Sequence, residues 1–217
     1  MASQTITVPL FPLPDTVFFP HTLLPLHVFE PRYKAMIEDV LASDKILGIV
    51  QLRPGWDTEY FGAPPIYKVF GLGRIVESER WPDGRYDVLV SGLYRAQLVQ
   101  EIPRDTWREA EVEIIQDHIS ADEAREVSDV HVILLEILKK LTDALPADVR
   151  VYTGPDAGEI SPGALTDIMA SLVVNDPYDR QSLLAEPNVA QRQKLLRIQM
   201  QAMLHQGLHG DIAEGEV

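Results

Sequence analysis

Residues 8–33 form a stretch in which prolines alternate with large apolar side chains. The stretch reads VPLFPLPDTVFFPHTLLPLHVFEPRY, with six prolines and only three formal charges. Because proline lacks a backbone N–H and restricts the residue before it to extended backbone, this stretch is not a helix. It is also too apolar to be a solvated linker. We therefore predict two short strands, near residues 6–11 and 24–29, joined by an extended loop that lies against a core.

The residues that follow predict one helix and a set of bent strands. Pro31 falls in the first turn of the helix, where its missing N–H costs nothing, and apolar residues recur at helical spacing as far as Leu41. Strands are predicted near residues 45–52, 66–81, 85–99 and 107–116. Glycines that allow sharp bends lie within them, at Gly71, Gly73 and Gly92. Short, bent strands with one helix indicate a small β-barrel.

From Ser120 onward the chain has a helical pattern, interrupted by a predicted loop at residues 145–160. Ser120 and Glu123 match a capping box, in which each side chain binds the other residue's free N–H, and the helix is predicted to reach about Ala144. Its apolar residues lie on more than one face, which predicts a central helix with several neighbours. Ser161 and Asp176 are each followed by proline, which predicts two N-caps and helices near residues 162–173 and 177–185. A last helix is predicted from Pro187 and is expected to end at Gly207 and Gly210.

Composition indicates an ordinary globular protein. The 217 residues are 46% hydrophobic and 24% charged, and none is cysteine. A chain without cysteine has no disulfide, thiol catalysis or Cys-ligated zinc, and it fits a reducing compartment. There is no run of 18 apolar residues and no signal-peptide pattern. We therefore expect a cytoplasmic location and no membrane partner.

Negative charge is spread over the whole chain. Residues 1–117 hold 11 Lys and Arg against 17 Asp and Glu, and residues 118–217 hold 8 against 16. Binding of nucleic acid through counterion release needs a broad basic face, which neither half offers. We therefore expect no nucleic-acid partner.

Three blocks of sequence occur in an order that resembles a known family. The first, residues 8–30, contains the runs Val-Phe-Phe-Pro and Pro-Leu-His-Val. The second, residues 73–99, joins a Pro-Asp-Gly turn to Gly-Leu-Tyr-Arg, and the third is residues 161–196. Together they resemble the Lon protease N-terminal (substrate-binding) domain family over about residues 6–206. The run Phe29 to Tyr33 is similar to that of members that stand alone.

This resemblance implies an α+β fold, with an N-terminal PUA-like β-barrel carrying one helix and a C-terminal α-helical bundle. We place the first domain at residues 5–117 and the second at 118–210. The resemblance also implies recognition of unfolded or misfolded polypeptide, with a separate protease or chaperone as a further partner. The chain has no GxxxxGK[ST] motif and ends before a Lon protease domain would begin, so we expect a stand-alone member without catalysis inherited from Lon.

No group of residues stands out as a catalytic, cofactor or metal site. His21 and His27 flank the proline-rich loop, and His205 and His209 lie one helical turn apart. Without cysteine or a matching set of carboxylates, we interpret both pairs as structural or solvated, and His131 as packed within its helix. Acidic residues are too abundant to single out a general acid and base. We expect a protein that is not an enzyme.

Aromatic residues in two predicted loops are the candidate peptide-binding residues. They are Phe18 and Phe19 in the first loop, and Trp56, Tyr60 and Phe61 in the second. Burial of a partner's apolar side chains on them would supply about 25 cal/mol per Å². The alternative interpretation is that the second loop folds back over the barrel end.

A second hypothesis is an RNA-binding accessory protein, because PUA-like barrels elsewhere bind RNA. Its candidate residues are Arg74, Arg80, Arg85 and Arg95 on neighbouring strands. This hypothesis rests on fold analogy alone. The competing interpretation is a solvated face on which acidic residues separate the arginines.

Overall fold

The computed structural model describes residues 5–58, 63–144 and 160–213, with side chains as far as Met203 in the last helix. The described part contains α-helices and a six-stranded sheet and is therefore α+β. Its strands are β1 (Thr5–Leu13), β2 (Leu23–Val28), β3 (Ile46–Gln51), β4 (Val69–Arg80), β5 (Tyr86–Ile102) and β6 (Arg108–Ile115). Its helices are α1 (Pro31–Leu41), α2 (Ala124–Asp143), α3 (Pro162–Val173), α4 (Pro177–Ala185) and α5 (Val189–Ala213). Contacts among the described residues divide the chain into two units, the first up to Gln116 and the second from Asp117.

The strands of the first unit form a closed ring of pairings. Strand β1 pairs with β3 in parallel and with β6 antiparallel, and β4 pairs antiparallel with β3 and β5. The ring closes because the long β5 also pairs with β6 through its second half. The first half of β5 pairs with β2, which lies outside the ring. Closure leaves few unpaired backbone groups at sheet edges.

The segment between β1 and β2 passes directly over glycines of β4 and β5. A Cβ at Gly71 would lie 2.1 Å from the carbonyl oxygen of Phe18, and one at Gly92 would lie 2.2 Å from that of Phe19. The Gly92 N–H also donates to the Thr22 carbonyl at 2.8 Å. No side chain larger than hydrogen fits between these backbones. Glycine is therefore required at both positions by the close approach of another segment of the chain.

Phe18 and Phe19 are buried, at 2% and 1% exposure, so the expectation that they form an exposed loop tip is wrong. Phe18 packs in the same hydrophobic cluster as Phe11 and Tyr33. The physical reason is the close approach described above, which turns both rings into the core rather than toward solvent. Helix α1 borders this cluster with the face predicted from its spacing, since Met36 and other apolar residues there are buried.

Substitution of Gly71 tests the backbone contact. We expect Gly71→Ala to lower the free energy of unfolding by about 1–3 kcal/mol, because the added methyl group meets a backbone oxygen that cannot rotate away. Val76→Ala, at a position of β4 that is 52% exposed, is the control and should cost under about 1 kcal/mol. Urea denaturation measures both. Equal losses for the two variants would contradict the contact.

The second unit is built around a buried arginine. Arg192 of α5 is fully buried; its Nη1 donates to Asp117 at 3.1 Å and to the Glu186 carbonyl at 2.7 Å. Its Nε lies at ion-pair distance, 3.1 Å, from Asp167 of α3, which is also buried. Burial opposes the charge, yet the carboxylates of Asp167 and Asp117 raise the pKa of Arg192 above its usual value. A Cβ at Gly163 would lie 2.2 Å from Asp117 Oδ2, so this network also requires a glycine in α3.

Removing the arginine should destabilise this unit strongly. We expect Arg192→Met to lower the free energy of unfolding by about 3–5 kcal/mol, because it leaves the Asp167 carboxylate buried without its cation. Lys194→Met on the same helix is the control, since the exposed Lys194–Glu126 pair spans 3.6 Å and is worth under about 1 kcal/mol. Chemical denaturation followed by far-UV circular dichroism distinguishes the two. A loss as small as that of the control would show that the network does not hold the helices.

Half of the predicted capping box forms at the start of α2. The Glu123 carboxylate accepts from the Ser120 N–H at 3.4 Å, as predicted. The Ser120 side chain, however, donates to this carboxylate instead of accepting from the Glu123 N–H, and α2 begins at Ala124. The same carboxylate accepts from Asn188 Nδ2 at 2.9 Å and from Gln191 Nε2 at 3.2 Å. Hydrogen bonds from Ser120 and Asn188 lower the pKa of Glu123 to about 2. Glu123 therefore joins the start of α2 to the start of α5.

This carboxylate predicts a pH dependence of stability. Because the pKa of Glu123 is lower in the folded chain than its usual value of 4.5, its contribution is present above pH 4.5 and is lost as pH falls toward 2. We expect Glu123→Gln to be less stable than the parent at pH 7 and to lose less stability between pH 5 and pH 2.5. Urea midpoints at several pH values measure this. Parallel curves for parent and variant would contradict it.

One expectation about the helices is confirmed and another needs correction. Helix α2 contacts both α3 and α5, as its several apolar faces predict, although its apolar residues Val132 and Ile133 are 54% and 55% exposed. Helix α5 continues to Ala213, past Gly207 and Gly210, because a glycine only lowers helix propensity by about 1 kcal/mol. The N-caps predicted at Ser161 and Asp176 are confirmed by hydrogen bonds to their side chains. Among the described residues, no helix is long and apolar enough to cross a membrane.

Candidate functional site

A cleft of about 370 Å³ opens in the first unit where β1 and β5 end and β6 begins. Its walls come from β1, the first turn of α1, the chain between β3 and β4, and the connection between β5 and β6. The lining residues are Pro12, Arg32, Tyr33, Leu52, Ala63, Pro64 and residues 101–108. The walls therefore come from parts of the chain that are far apart in sequence.

Two aromatic side chains give the cleft an apolar wall that continues the core. Tyr33 stacks on Phe11 with ring centroids 4.4 Å apart, and Trp107 packs against the same hydrophobic cluster. The indole N–H of Trp107 is buried and has no hydrogen-bond partner among the described residues. An unsatisfied buried donor costs about 1–3 kcal/mol. Because this N–H is buried, Trp107 offers the cleft an apolar surface rather than a hydrogen-bond donor.

Two arginines lie over the aromatic rings. The guanidinium of Arg32 is 4.5 Å from the centroid of Tyr33, and that of Arg104 is 4.8 Å from the centroid of Trp107. Each Nε donates to a neighbouring carboxylate at 3.0 Å, Arg32 to Glu30 and Arg104 to Glu109. The aromatic wall is thus bordered by oriented positive charges.

A third arginine connects the walls of the cleft. Arg108 donates through Nε and Nη2 to both oxygens of Glu101, at 2.8 and 2.7 Å, and through Nη1 to the Pro64 carbonyl at 2.7 Å. This bidentate arrangement is the strong form of an arginine–carboxylate pair. It joins the end of β5, the start of β6 and the segment before β4.

The arginines of the cleft are held in ion pairs. Arg32, Arg104 and Arg108 bind the carboxylates of Glu30, Glu109 and Glu101, and Asp105 adds a further lining carboxylate. The cleft therefore presents oriented ion pairs beside an apolar wall and no excess of positive charge.

A polar cluster where β2 meets the β4–β5 hairpin is a further group of titratable residues in the first unit. Asp87 accepts hydrogen bonds from His27 Nδ1 and from Trp81 Nε1, the latter at 2.8 Å, and both lower the pKa of Asp87. Arg85 lies 3.3 Å from His27 Nε2. These contacts hold the predicted turn at residues 82–84, whose Gly84 has φ 81°. In the part of the chain that the structure describes, no three His, Asp or Glu residues are grouped to hold a metal ion.

The candidate peptide-binding residues are not brought together by the described structure. Phe18 and Phe19 are in the core, and Trp56 is partly buried against a second hydrophobic cluster. Tyr60 and Phe61 lie outside the described residues. For Trp56 the position agrees with the alternative interpretation, in which that loop packs over the end of the strands.

The candidate basic cluster does not form one surface either. Arg95 is 3% exposed, Arg80 lies 3.4 Å from Glu38, and Arg85 pairs with Asp83 at 2.7 Å. The backbone N–H of Arg85 also lowers the pKa of Asp83. Arg74 is exposed. Nothing in this arrangement favours the RNA-binding hypothesis.

The sequence interpretation did not select the cleft residues. Tyr33 lies in the apolar pattern that predicts α1, and Trp107 begins a predicted strand. The sequence signal that points to the cleft is Pro103-Arg104-Asp105-Thr106-Trp107, a short connection between two strands that contains an arginine and an aromatic residue. This connection lies close to Arg32 and Tyr33 because the ring of strands closes, and no local sequence pattern indicates that proximity.

Comparison with known families gives the context of this cleft. The family model of the ATP-dependent protease La (LON) substrate-binding domain matches residues 7–202. The chain belongs to this family. The match covers both structural units and confirms the resemblance seen in the sequence blocks.

Individual Lon proteins are similar along most of the chain. Lon protease 2 of Myxococcus xanthus is 27% identical over 189 residues, which cover 87% of this chain and 23% of that protein. Lon protease 2 of Herpetosiphon aurantiacus is 30% identical over 200 residues, covering 91% of this chain and 24% of that protein. The chain thus spans about a quarter of the length of these relatives.

Solved structures show the same fold. The N-terminal domain of Mycobacterium avium complex Lon protease has a TM-score of 0.64 at 18% identity, covering 89% of this chain and 97% of that one. A Lon N-terminal domain protein from Xanthomonas campestris has a TM-score of 0.63 at 20% identity, covering 89% of this chain and 98% of that one. The chain therefore has the fold of a Lon N-terminal domain.

Proposed function

We propose that this Lon substrate-binding domain is a non-catalytic module that binds unfolded or misfolded polypeptide in the cytoplasm, and that the cleft beside Trp107 is a binding site. The observation that carries the site is the aromatic cleft itself, in which Tyr33 and Trp107 form an apolar wall with arginine guanidinium groups over their rings. Membership of the substrate-binding family supports the function. A role in protein quality control, with a separate protease or chaperone, follows as part of the same proposal.

We also propose a PUA-like barrel for the first unit and a helical bundle for the second. The closed ring β5–β4–β3–β1–β6 supports a PUA-like barrel, and the packing of α2, α3, α4 and α5 on one another supports a helical bundle. The unit boundary after Gln116 is consistent with domains at 5–117 and 118–210.

The cleft has the chemistry that an unfolded chain requires. An apolar side chain of the client packs against Tyr33 and Trp107. Burial of about 100 Å² of apolar surface contributes roughly 2.5 kcal/mol at 25 cal/mol per Å². One such contact is weak and readily reversed. A folded protein keeps most of its large apolar side chains buried and therefore does not offer them.

Trp56, Tyr60 and Phe61 remain proposed contact residues of a second segment of the same client. Trp56 presents only part of its side chain, because it packs against the cluster that contains Phe70 and Leu72. Phe18 and Phe19 are not proposed as contact residues, because both are buried.

Replacement of Trp107 tests the site. We expect Trp107→Phe to weaken binding of a reduced, permanently unfolded model protein by about five- to tenfold, because the variant loses apolar area on the wall of the cleft. Fluorescence anisotropy with a labelled model protein gives the affinities. The native form of the same model protein should not bind measurably.

Tyr94→Ala is the control for this experiment. Tyr94 is an aromatic residue of β5 that is 47% exposed and does not line the cleft. Its replacement should leave the affinity within about twofold of the parent. Equal affinity for native and unfolded forms would contradict the function, and equal effects of the two substitutions would contradict the site.

A further inference from the structure

We propose that helix α2 pairs antiparallel with α2 of a second copy of this chain, through the face that the helix turns to solvent. The inference goes beyond the proposed function, because it concerns the second structural unit and not the cleft. Two properties of α2 carry it: apolar side chains that stay exposed, and an order of charges that is complementary to its own reverse.

The first property is a group of apolar side chains on the exposed face of α2. Leu134 and Leu138 belong to the buried side of the helix. Val132, Ile133 and Leu135 lie off that side and are 54%, 55% and 38% exposed, although α3 and α5 both contact the helix. Single exposed apolar residues are ordinary, whereas a group of them on one element is typical of a surface that another element covers.

The second property is the order of charges along the same face. Arg125 and Asp143 are 18 residues apart, which is five turns of an α-helix, so they lie on one line near opposite ends of α2. Asp129 lies one turn after Arg125, and Lys139 lies one turn before Asp143. All four are exposed, and none has an ion pair with another residue that the structure describes. From its start to its end, the face therefore carries positive, negative, apolar, positive and negative groups.

A two-fold axis at Leu134 brings these groups together with the correct signs. In such a pair, residues at equal distances before and after the axis meet. Arg125 of one copy then meets Asp143 of the other, and Asp129 meets Lys139 in the same way. The exposed apolar residues meet at the axis. A parallel pair would place each charge against its own kind, so the charge order selects the antiparallel arrangement.

The size of this surface predicts a reversible dimer. A helix of 20 residues is about 30 Å long, and one helix pair is a small interface among specific complexes. Glu136, near the middle of the face, lies one turn before Lys140 of its own helix, at the spacing of a stabilising pair. The net charge of −14 makes two copies repel each other until salt screens it. We expect a Kd of about 10–100 μM at about 0.15 M salt.

Reversal of the end charges tests the pairing in the full chain. Arg125→Asp places aspartates opposite each other, and Asp143→Arg places arginines opposite each other. Each variant should dimerise at least about tenfold more weakly than the parent. An equimolar mixture of the two variants should associate like the parent, because each chain then supplies the charge that the other needs. Sedimentation equilibrium between about 1 and 500 μM protein gives the constants.

Matched variants separate the pairing from changes of overall charge and of folding. Arg74→Asp makes the same change of net charge at an exposed position of β4, and its Kd should stay within about twofold of the parent. Val132→Ser should weaken the dimer about fivefold, whereas Val99→Ser, at a position of β5 that is 49% exposed, should not weaken it. Far-UV circular dichroism shows whether each variant keeps its helices.

The outcomes are distinct from those of the binding experiments with unfolded protein. A parent chain that stays monomeric over the whole concentration range overturns the inference. A dimer that Arg125→Asp leaves unchanged, or a mixture of the two variants that fails to associate, also overturns it. A dimer that is lost in each variant alone and restored in their mixture supports the antiparallel pairing of α2.

Discussion

The first unit depends on the contact of one backbone segment with two glycines. Where the chain between β1 and β2 crosses β4 and β5, the carbonyl oxygens of Phe18 and Phe19 occupy the space of a Cβ at Gly71 and Gly92. This contact turns both phenylalanine rings into the interior. Phe18 then packs with Phe11 and Tyr33 in one cluster, and Tyr33 is a wall of the cleft. The position of the candidate site therefore follows from a backbone approach that only glycine permits.

The cleft combines a rigid aromatic wall with oriented ion pairs. Its aromatic residues belong to the core, so their positions are set by packing rather than by a ligand. The buried N–H of Trp107 opposes folding because it has no acceptor in the described structure. The guanidinium groups over the rings are each held by a carboxylate, Arg32 by Glu30 and Arg104 by Glu109. The geometry of the wall is therefore set before a ligand arrives, which reduces the entropy lost on binding.

Features encoded by neighbouring residues were predictable. The start of α1 at Pro31, the turn at residues 82–84, and the caps at Ser161 and Asp176 all agree with the structure, because each depends on backbone chemistry within a few residues. The burial of Phe18 and the use of Glu123 by Asn188 were not predictable in this way. Both depend on contacts between residues distant in sequence: Phe18 lies over Gly71, and Asn188 of the second half of the chain donates to Glu123.

The sequence by itself determined the α+β class, the proline-rich start, the order of the elements and the family, because periodicity, caps and ordered motif blocks are local or linear properties. Tertiary structure decided which aromatic residues line the cleft. It buried Phe18 and Phe19 and brought Arg32, Tyr33, Arg104 and Trp107 to one cleft. An aromatic residue in a loop has the same sequence signature whether it turns inward or outward. Only the closure of the strand ring, with its requirement for glycine beneath the crossing segment, distinguishes the two.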